Sequence, residues 1–208
     1  MLYFLSFGIV IGLTAGFAPG PLQTLVIAET LRHGTLAGVR VALAPLITDA
    51  PIVLASIFLA KLLSNIEPAL GLISIFGSAY LLYLSVHSFT MKPTAKLTES
   101  IASESLRKGV LANFLSPHPY FFWLGVGAPT LANASKINFL APLLFIVGFY
   151  SCLVGAKILI AILVDHARPA MSNAVQQKIT SLLALLLGVF ALFLLWEGMQ
   201  LLGFKWEL

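Results

Sequence analysis

The chain has 208 residues, of which 59% are hydrophobic and 10% charged, with a formal net charge of +4. Its mean hydropathy is +0.99. So much apolar surface cannot be hidden inside a globule of this size, so part of it must face lipid, which excludes a soluble enzyme, a disordered chain and a secreted disulfide scaffold. The single cysteine, Cys152, excludes an internal disulfide, a paired-thiol redox carrier and a zinc thiol pair.

Crossing a hydrocarbon core about 30 Å thick takes a helix of about 20 apolar residues. Six stretches meet that requirement. The first, residues 3–31, is interrupted at Pro19-Gly20-Pro21 and carries Gly8, Gly12 and Gly16 at every fourth position. Such a stripe lets another backbone approach closely. Gly8 and Gly12 read as packing residues; Gly16, beside the break, fits either packing or a moving surface. This run is too long for a cleavable secretory core and has no basic residue before Arg32, so it reads as a retained helix. Glu29 and Arg32, three apart near its end, read as an exposed helix pair.

The second stretch, residues 39–63, places Asp49 near its middle, between Pro45 and Pro51. The third is 68–89. A polar connection, residues 91–106, then divides the chain into halves of approximately 1–90 and 107–208. The fourth stretch, 109–131, is interrupted at Pro117-His118-Pro119 and followed by Phe121, Phe122 and Trp123, which read as packing or gate residues. The fifth, 139–164, contains Lys157, and the Leu-rich sixth, 179–204, reads as a lipid-facing scaffold.

Six spans put the first, third and fifth connections on one side with Arg32, Arg40, Lys92, Lys96, Arg107, Lys108, Arg168 and Lys178. The other side holds Lys61, Lys136 and Lys205. Basic residues concentrate on the cytoplasmic side, so both termini are expected outside the cytoplasm. The alternative is five spans and one re-entrant stretch.

Each half opens with a Pro-x-Pro inside an apolar run, and three spans per half give the halves opposite orientations. Proline removes a backbone donor and blocks the preceding turn, and in lipid such a break is tolerated where protein covers it or it lines a cavity. Paired broken helices in inverted repeats build the central sites of many secondary transporters; a purely structural kink is the plainer reading.

An intramembrane charge is costly and points to function. Asp49 fits proton carriage, a grip on a substrate ammonium, or a structural partner for a buried cation. Lys157, close to the cytoplasmic end of its span, fits either snorkelling to the surface or pairing with Asp49. His118 fits titration near neutral pH, donation to a carboxylate, or capping of a freed carbonyl. Gln23 and Asn113 offer neutral hydrogen bonds. The histidines His33, His87, His118 and His166 form no metal-binding spacing, and no phosphate-binding glycine loop is present.

Gly16-Phe17-Ala18-Pro19-Gly20-Pro21, then Leu31-Arg32-His33-Gly34 and Ala37-Gly38, resemble the LysE/RhtB family of amino-acid exporters. The resemblance continues through Asp49 and Lys108-Gly109-Val110-Leu111-Ala112-Asn113-Phe114-Leu115-Ser116-Pro117, over essentially the whole chain. Ser116 stands where that family usually has Asn, His118 where it commonly has Lys, and Pro45 where it has a small residue. The resemblance implies proton-motive-force-driven efflux of small, often zwitterionic solutes by a membrane-embedded homodimer.

The expectation is therefore an all-α membrane protein: six transmembrane helices as two inverted three-helix repeats, helices one and four broken at Pro-x-Pro, forming one transporter domain, 1–208. It would work by alternating access in the cytoplasmic (inner) membrane of a prokaryote, with a small-molecule substrate, protons and lipid as partners. No cofactor, bound metal or nucleic acid is expected. The expected transport residues are Pro19, Gly20, Pro21, Gln23, Asp49, Asn113, Ser116, Pro117, His118, Pro119 and Lys157. Rival readings are a metal-cation exporter, which the sparse Cys, His and acidic residues disfavour, and a membrane-embedded enzyme using Asp165 and His166.

Overall fold

A computed structural model describes residues 2–62, 67–90 and 99–204, without the side chains of 55–62, 90 and 99–103. Lys92, Lys96, Lys205 and the first part of the central polar connection lie outside the described residues. The described chain is helical throughout: α1 (Leu2–Phe17), α2 (Pro21–His33), α3 (Thr35–Ala42), α4 (Ala44–Leu62), α5 (Glu67–Thr90) and α6 (Glu99–Phe114). Then come α7 (His118–Phe122), a π-helical turn (Trp123–Gly127), α8 (Ala128–Ser135), α9 (Leu140–Ala167) and α10 (Asn173–Leu201).

Four of the described helices are long and apolar enough to cross a membrane, and five spans result if the bent pair α1 and α2, which meet at 62°, counts as one. The expected fourth stretch is not one long helix. It is divided among α6, α7, the π turn and α8, and none of these pieces has the length and hydropathy to cross alone. Large apolar side chains stay exposed along the outer faces, Leu54 at 70%, Phe76 at 64% and Leu192 at 64%, as a lipid-facing surface requires.

Sequence explains the local breaks. Pro45 has no N–H to close the ladder, so α3 stops at Ala42, and Leu46 N–H donates instead to the Leu43 carbonyl at 3.1 Å. Between α2 and α3 the chain turns on Gly34 alone, whose φ of 87° is the left-handed region that a side chain would strain. Buried hydroxyls fold back onto their own helices: Thr30 Oγ1 to the Val26 carbonyl, Thr48 Oγ1 to Ala44 and Ser74 Oγ to Leu70. That satisfies polar groups where no water competes.

Two helix pairs frame the bundle, α1 along α9 and α5 along α10. The glycine stripe lies in the first of them. A Cβ at Gly8 would stand 2.5 Å from the Phe145 carbonyl oxygen and one at Gly16 2.7 Å from Ala156 Cβ, while one at Gly12 would strike the Phe149 carbonyl. In the second pair, a Cβ at Gly71 would stand 3.0 Å from the Gly198 carbonyl oxygen and one at Gly198 2.9 Å from that of Gly71, and Ser85 Oγ donates to the Ala184 carbonyl at 2.7 Å. Because the obstruction at Gly12 is backbone, Gly12→Ala must push α1 away from α9. We expect it to cost about 1–3 kcal/mol, read as earlier thermal unfolding in detergent.

Candidate functional site

The first break frees backbone groups that the structure accounts for in detail. The Gly20 carbonyl accepts from Thr24 N–H at 2.9 Å and from Thr24 Oγ1 at 3.0 Å. The Gly16 carbonyl, one residue short of the end of α1, accepts from Lys157 Nζ at 3.2 Å, and Lys157 also donates to Gln23 Oε1 at 3.3 Å. Lys157 is 4% exposed, so it neither snorkels to the surface nor pairs with Asp49. Its side chain leaves the face of α9 that meets the break, which turns it inward. Gln23 Nε2 is buried and has no partner. The first amides of α2 have no side-chain cap, and this end of the helix carries partial positive charge.

At the second break, α6 ends at Phe114 and α7 begins at His118. The Phe114 carbonyl accepts from Tyr120 Oη at 3.1 Å. Freed carbonyls at both breaks are therefore already claimed by Lys157 and Tyr120. Asn113 donates to Thr48 Oγ1 at 2.6 Å and to Asp49 Oδ1 at 3.3 Å, and Tyr150 Oη donates to Asp49 Oδ2 at 3.0 Å. Asp49 is 4% exposed, and no cation pairs with it among the described residues. His118 is exposed and its Nδ1 lies 3.2 Å from Ser116 Oγ; it caps no carbonyl.

A cavity of about 320 Å³ lies between the two breaks. It is lined by Pro19, Gly20, Pro21, Gln23, Asp49, Asn113, Ser116, His118, Pro119 and Lys157, which come from both halves of the sequence. Of the expected transport residues only Pro117 is not on its wall; it is buried elsewhere in the break. Apolar lining comes from Phe122, Phe149, Leu153, Phe190, Phe193 and Leu194, with the Phe122 and Phe149 rings stacked at 5.0 Å. Of the aromatic run after the second break, Phe122 lines the cavity, Trp123 is buried beside Tyr150, and Phe121 is exposed. No group of three or more His, Cys, Asp or Glu side chains able to hold a metal ion occurs among the described residues.

Glu29 and Arg32 differ from the expected surface pair. Both are 2% exposed and each has a separate distant partner. Glu29 accepts from Lys108 Nζ at 3.1 Å and from Ser105 Oγ at 2.6 Å, and Arg32 donates to the Ser88 carbonyl. Thr35 Oγ1 donates to Asp165 Oδ2 at 2.6 Å, and Arg168 lies 3.8 Å from the same carboxylate's other oxygen. Asp165 thus ties two connections together. Glu29→Ala strips the buried Lys108 ammonium of its closest enclosed partner. We expect a loss of about 3 kcal/mol of stability, seen as a lower unfolding temperature that a surface pair would not produce.

Sequence reasoning missed Tyr150, Thr48 and Tyr120. Tyr150 carried a usable signal: it lies two helical turns before Lys157 and therefore on the same face of α9. Thr48 and Tyr120 gave none, since their roles depend on neighbours from other helices.

An all-helical bundle with an apolar exterior, two interrupted helices and between them a largely apolar cavity into which a few polar side chains reach defines a multi-pass membrane protein of the translocator class. The chain belongs to the LysE type translocator family, whose model matches residues 13–198. It is 28% identical over 194 residues to "Uncharacterized membrane protein YahN" of Escherichia coli (strain K12), covering 88% of this chain and 84% of that protein. No solved structure matches the chain.

Proposed function

We propose that this translocator is a secondary active exporter of amino acids or closely related small zwitterions. One observation carries the reading. Asp49 and Lys157 both reach the cavity wall, both are buried, and each has only neutral partners. Buried charges without counter-charges are expensive. A zwitterion supplies both missing partners at once: its ammonium to Asp49, its carboxylate to Lys157, the unpartnered Gln23 Nε2 and the amides opening α2.

In favour of two inverted three-span halves stand several contacts. Asp49, on the second stretch of the first half, meets Asn113 just before the second Pro-x-Pro; Lys157, on the second stretch of the second half, meets Gly16 just before the first. The reciprocal Gly71–Gly198 approach fits a twofold relation between α5 and α10. Arg32 with Ser88, and Thr35 with Asp165, draw the first, third and fifth connections to one end, as six spans require. That end holds the basic residues, which supports a cytoplasmic side there, with both termini outside, in the inner membrane of a prokaryote. The whole chain acts as one transporter domain, as a homodimer.

Export is coupled to proton entry through Asp49. A proton arriving on its carboxyl cancels the charge that holds the substrate ammonium and releases the substrate; losing that proton to the cytoplasm restores the site. The two broken segments rock against each other, opening the cavity alternately to either side. The test is efflux from liposomes containing the purified protein and loaded with a mixed metabolite panel. Amino-acid efflux that rises with an imposed pH gradient, acid outside, is expected. Efflux of metal cations alone, or chemical conversion without movement across the bilayer, contradicts the proposal.

A further inference from the structure

The cavity also constrains the substrate's side chain. We infer that the transported amino acid carries a large, uncharged, apolar side chain; this rests on the zwitterion reading above. Phe149, Leu153 and Lys157 stand at four-residue intervals, so they form one stripe down α9 with the cation at one end and apolar surface beyond it. The stripe rises about 12 Å from end to end, enough for a backbone headgroup and an extended side chain beside it.

Phe190, Phe193 and Leu194 continue that surface on α10, and Phe122 closes it from α7 by stacking on Phe149. Once the substrate's ammonium and carboxylate have engaged Asp49 and Lys157, the remaining ionisable side chain on the wall is His118, which is exposed, lies against Ser116 and stands outside the apolar stripe. Asn113 is committed to Thr48 and Asp49. A lysine or glutamate side chain entering the apolar part would lose its hydration without gaining a counter-charge, and a hydroxyl would lose a hydrogen bond. An aromatic or branched aliphatic side chain instead leaves water for a matching surface.

The experiment uses the purified full chain in liposomes loaded with equal concentrations of phenylalanine, leucine, threonine, lysine and glutamate, under an imposed pH gradient. Phenylalanine and leucine should leave at least about tenfold faster than the other three, the scale on which an apolar pocket discriminates. If threonine, lysine or glutamate leaves as fast or faster, the side-chain inference is overturned while amino-acid export stands. If none of the five moves, export of amino acids fails and the inference with it. Phe193→Ala removes an accessible part of the apolar wall and should reduce the phenylalanine-to-threonine ratio several-fold or more. An unchanged ratio in a variant that elutes as a single species would overturn the assignment of that wall.

Discussion

Asp49→Asn is expected to abolish pH-gradient-driven efflux, by on the order of a hundredfold, while leaving the protein folded. The amide keeps the size of the carboxyl: its oxygen can still accept from Asn113 and its N–H can donate to the Tyr150 hydroxyl, two groups that in the wild-type protein donate to the two carboxylate oxygens at 3.3 and 3.0 Å. What it loses is the charge that attracts an ammonium, a buried interaction on the scale of 2–5 kcal/mol or about thirtyfold to several thousandfold. It also loses the proton-binding oxygen. Export down a substrate gradient should therefore become slow and insensitive to external pH. The measurement is the efflux rate at several external pH values, and retention of the wild-type pH dependence would show that the coupling group lies elsewhere.

Lys157→Gln should act at the opposite pole of the substrate. Glutamine preserves an N–H donor but removes the charge, so the experiment separates two roles for this residue. If Lys157 only caps the Gly16 carbonyl, at 3.2 Å, and steadies Gln23, at 3.3 Å, the variant should transport nearly as well as wild type. If it also receives the substrate carboxylate, the apparent KM should rise by about ten- to a hundredfold, with partial recovery in Lys157→Arg. The proposal expects the second result. Competition by a decarboxylated amine should sharpen it, since an amine has nothing to offer Lys157 and its inhibition should be the same in wild type and variant.

Most of the candidate site is legible in the sequence because its chemistry is conspicuous in an apolar chain. Proline inside a run of leucine and phenylalanine declares a break, and Asp49 or Lys157 in such a run declares a buried charge. The glycine stripe on α1 was legible for the same reason: small residues at every fourth position leave a groove that another backbone fills. Partners were not legible. The position of Lys157 near the end of its helix suggested snorkelling, but distance along a helix says nothing about the face from which a side chain leaves. Glu29 and Arg32 had the spacing of a surface pair, yet α5 and α6 cover both and supply Ser88, Ser105 and Lys108.

Composition also overstated regularity in the fourth stretch. Residues 109–131 have the hydropathy of a span, but Pro117, Pro119, Gly125, Gly127 and Pro129 occur within about one turn of each other or of the break. The chain there divides into α7, a π-helical turn and α8. Gly127 sits against the Trp123 ring, where a Cβ would not fit, so the turn is fixed by packing as well as by proline. Apolar average and helical continuity are different properties, and this segment separates them.

Substrate protection of a thiol placed between the two breaks tests the central claim most directly. A Cβ at Gly20 meets nothing within 4 Å and Gly20 lines the cavity, so Gly20→Cys in a Cys152→Ala background presents a thiol to the cavity with little strain. With whichever amino acid the liposome panel identifies, labelling by a small maleimide should slow in proportion to substrate occupancy, and Asp49→Asn should remove the protection. Labelling that proceeds at one rate with and without saturating substrate would mean that the transported molecule passes elsewhere, and that the hollow between the proline-bearing segments is only a packing gap.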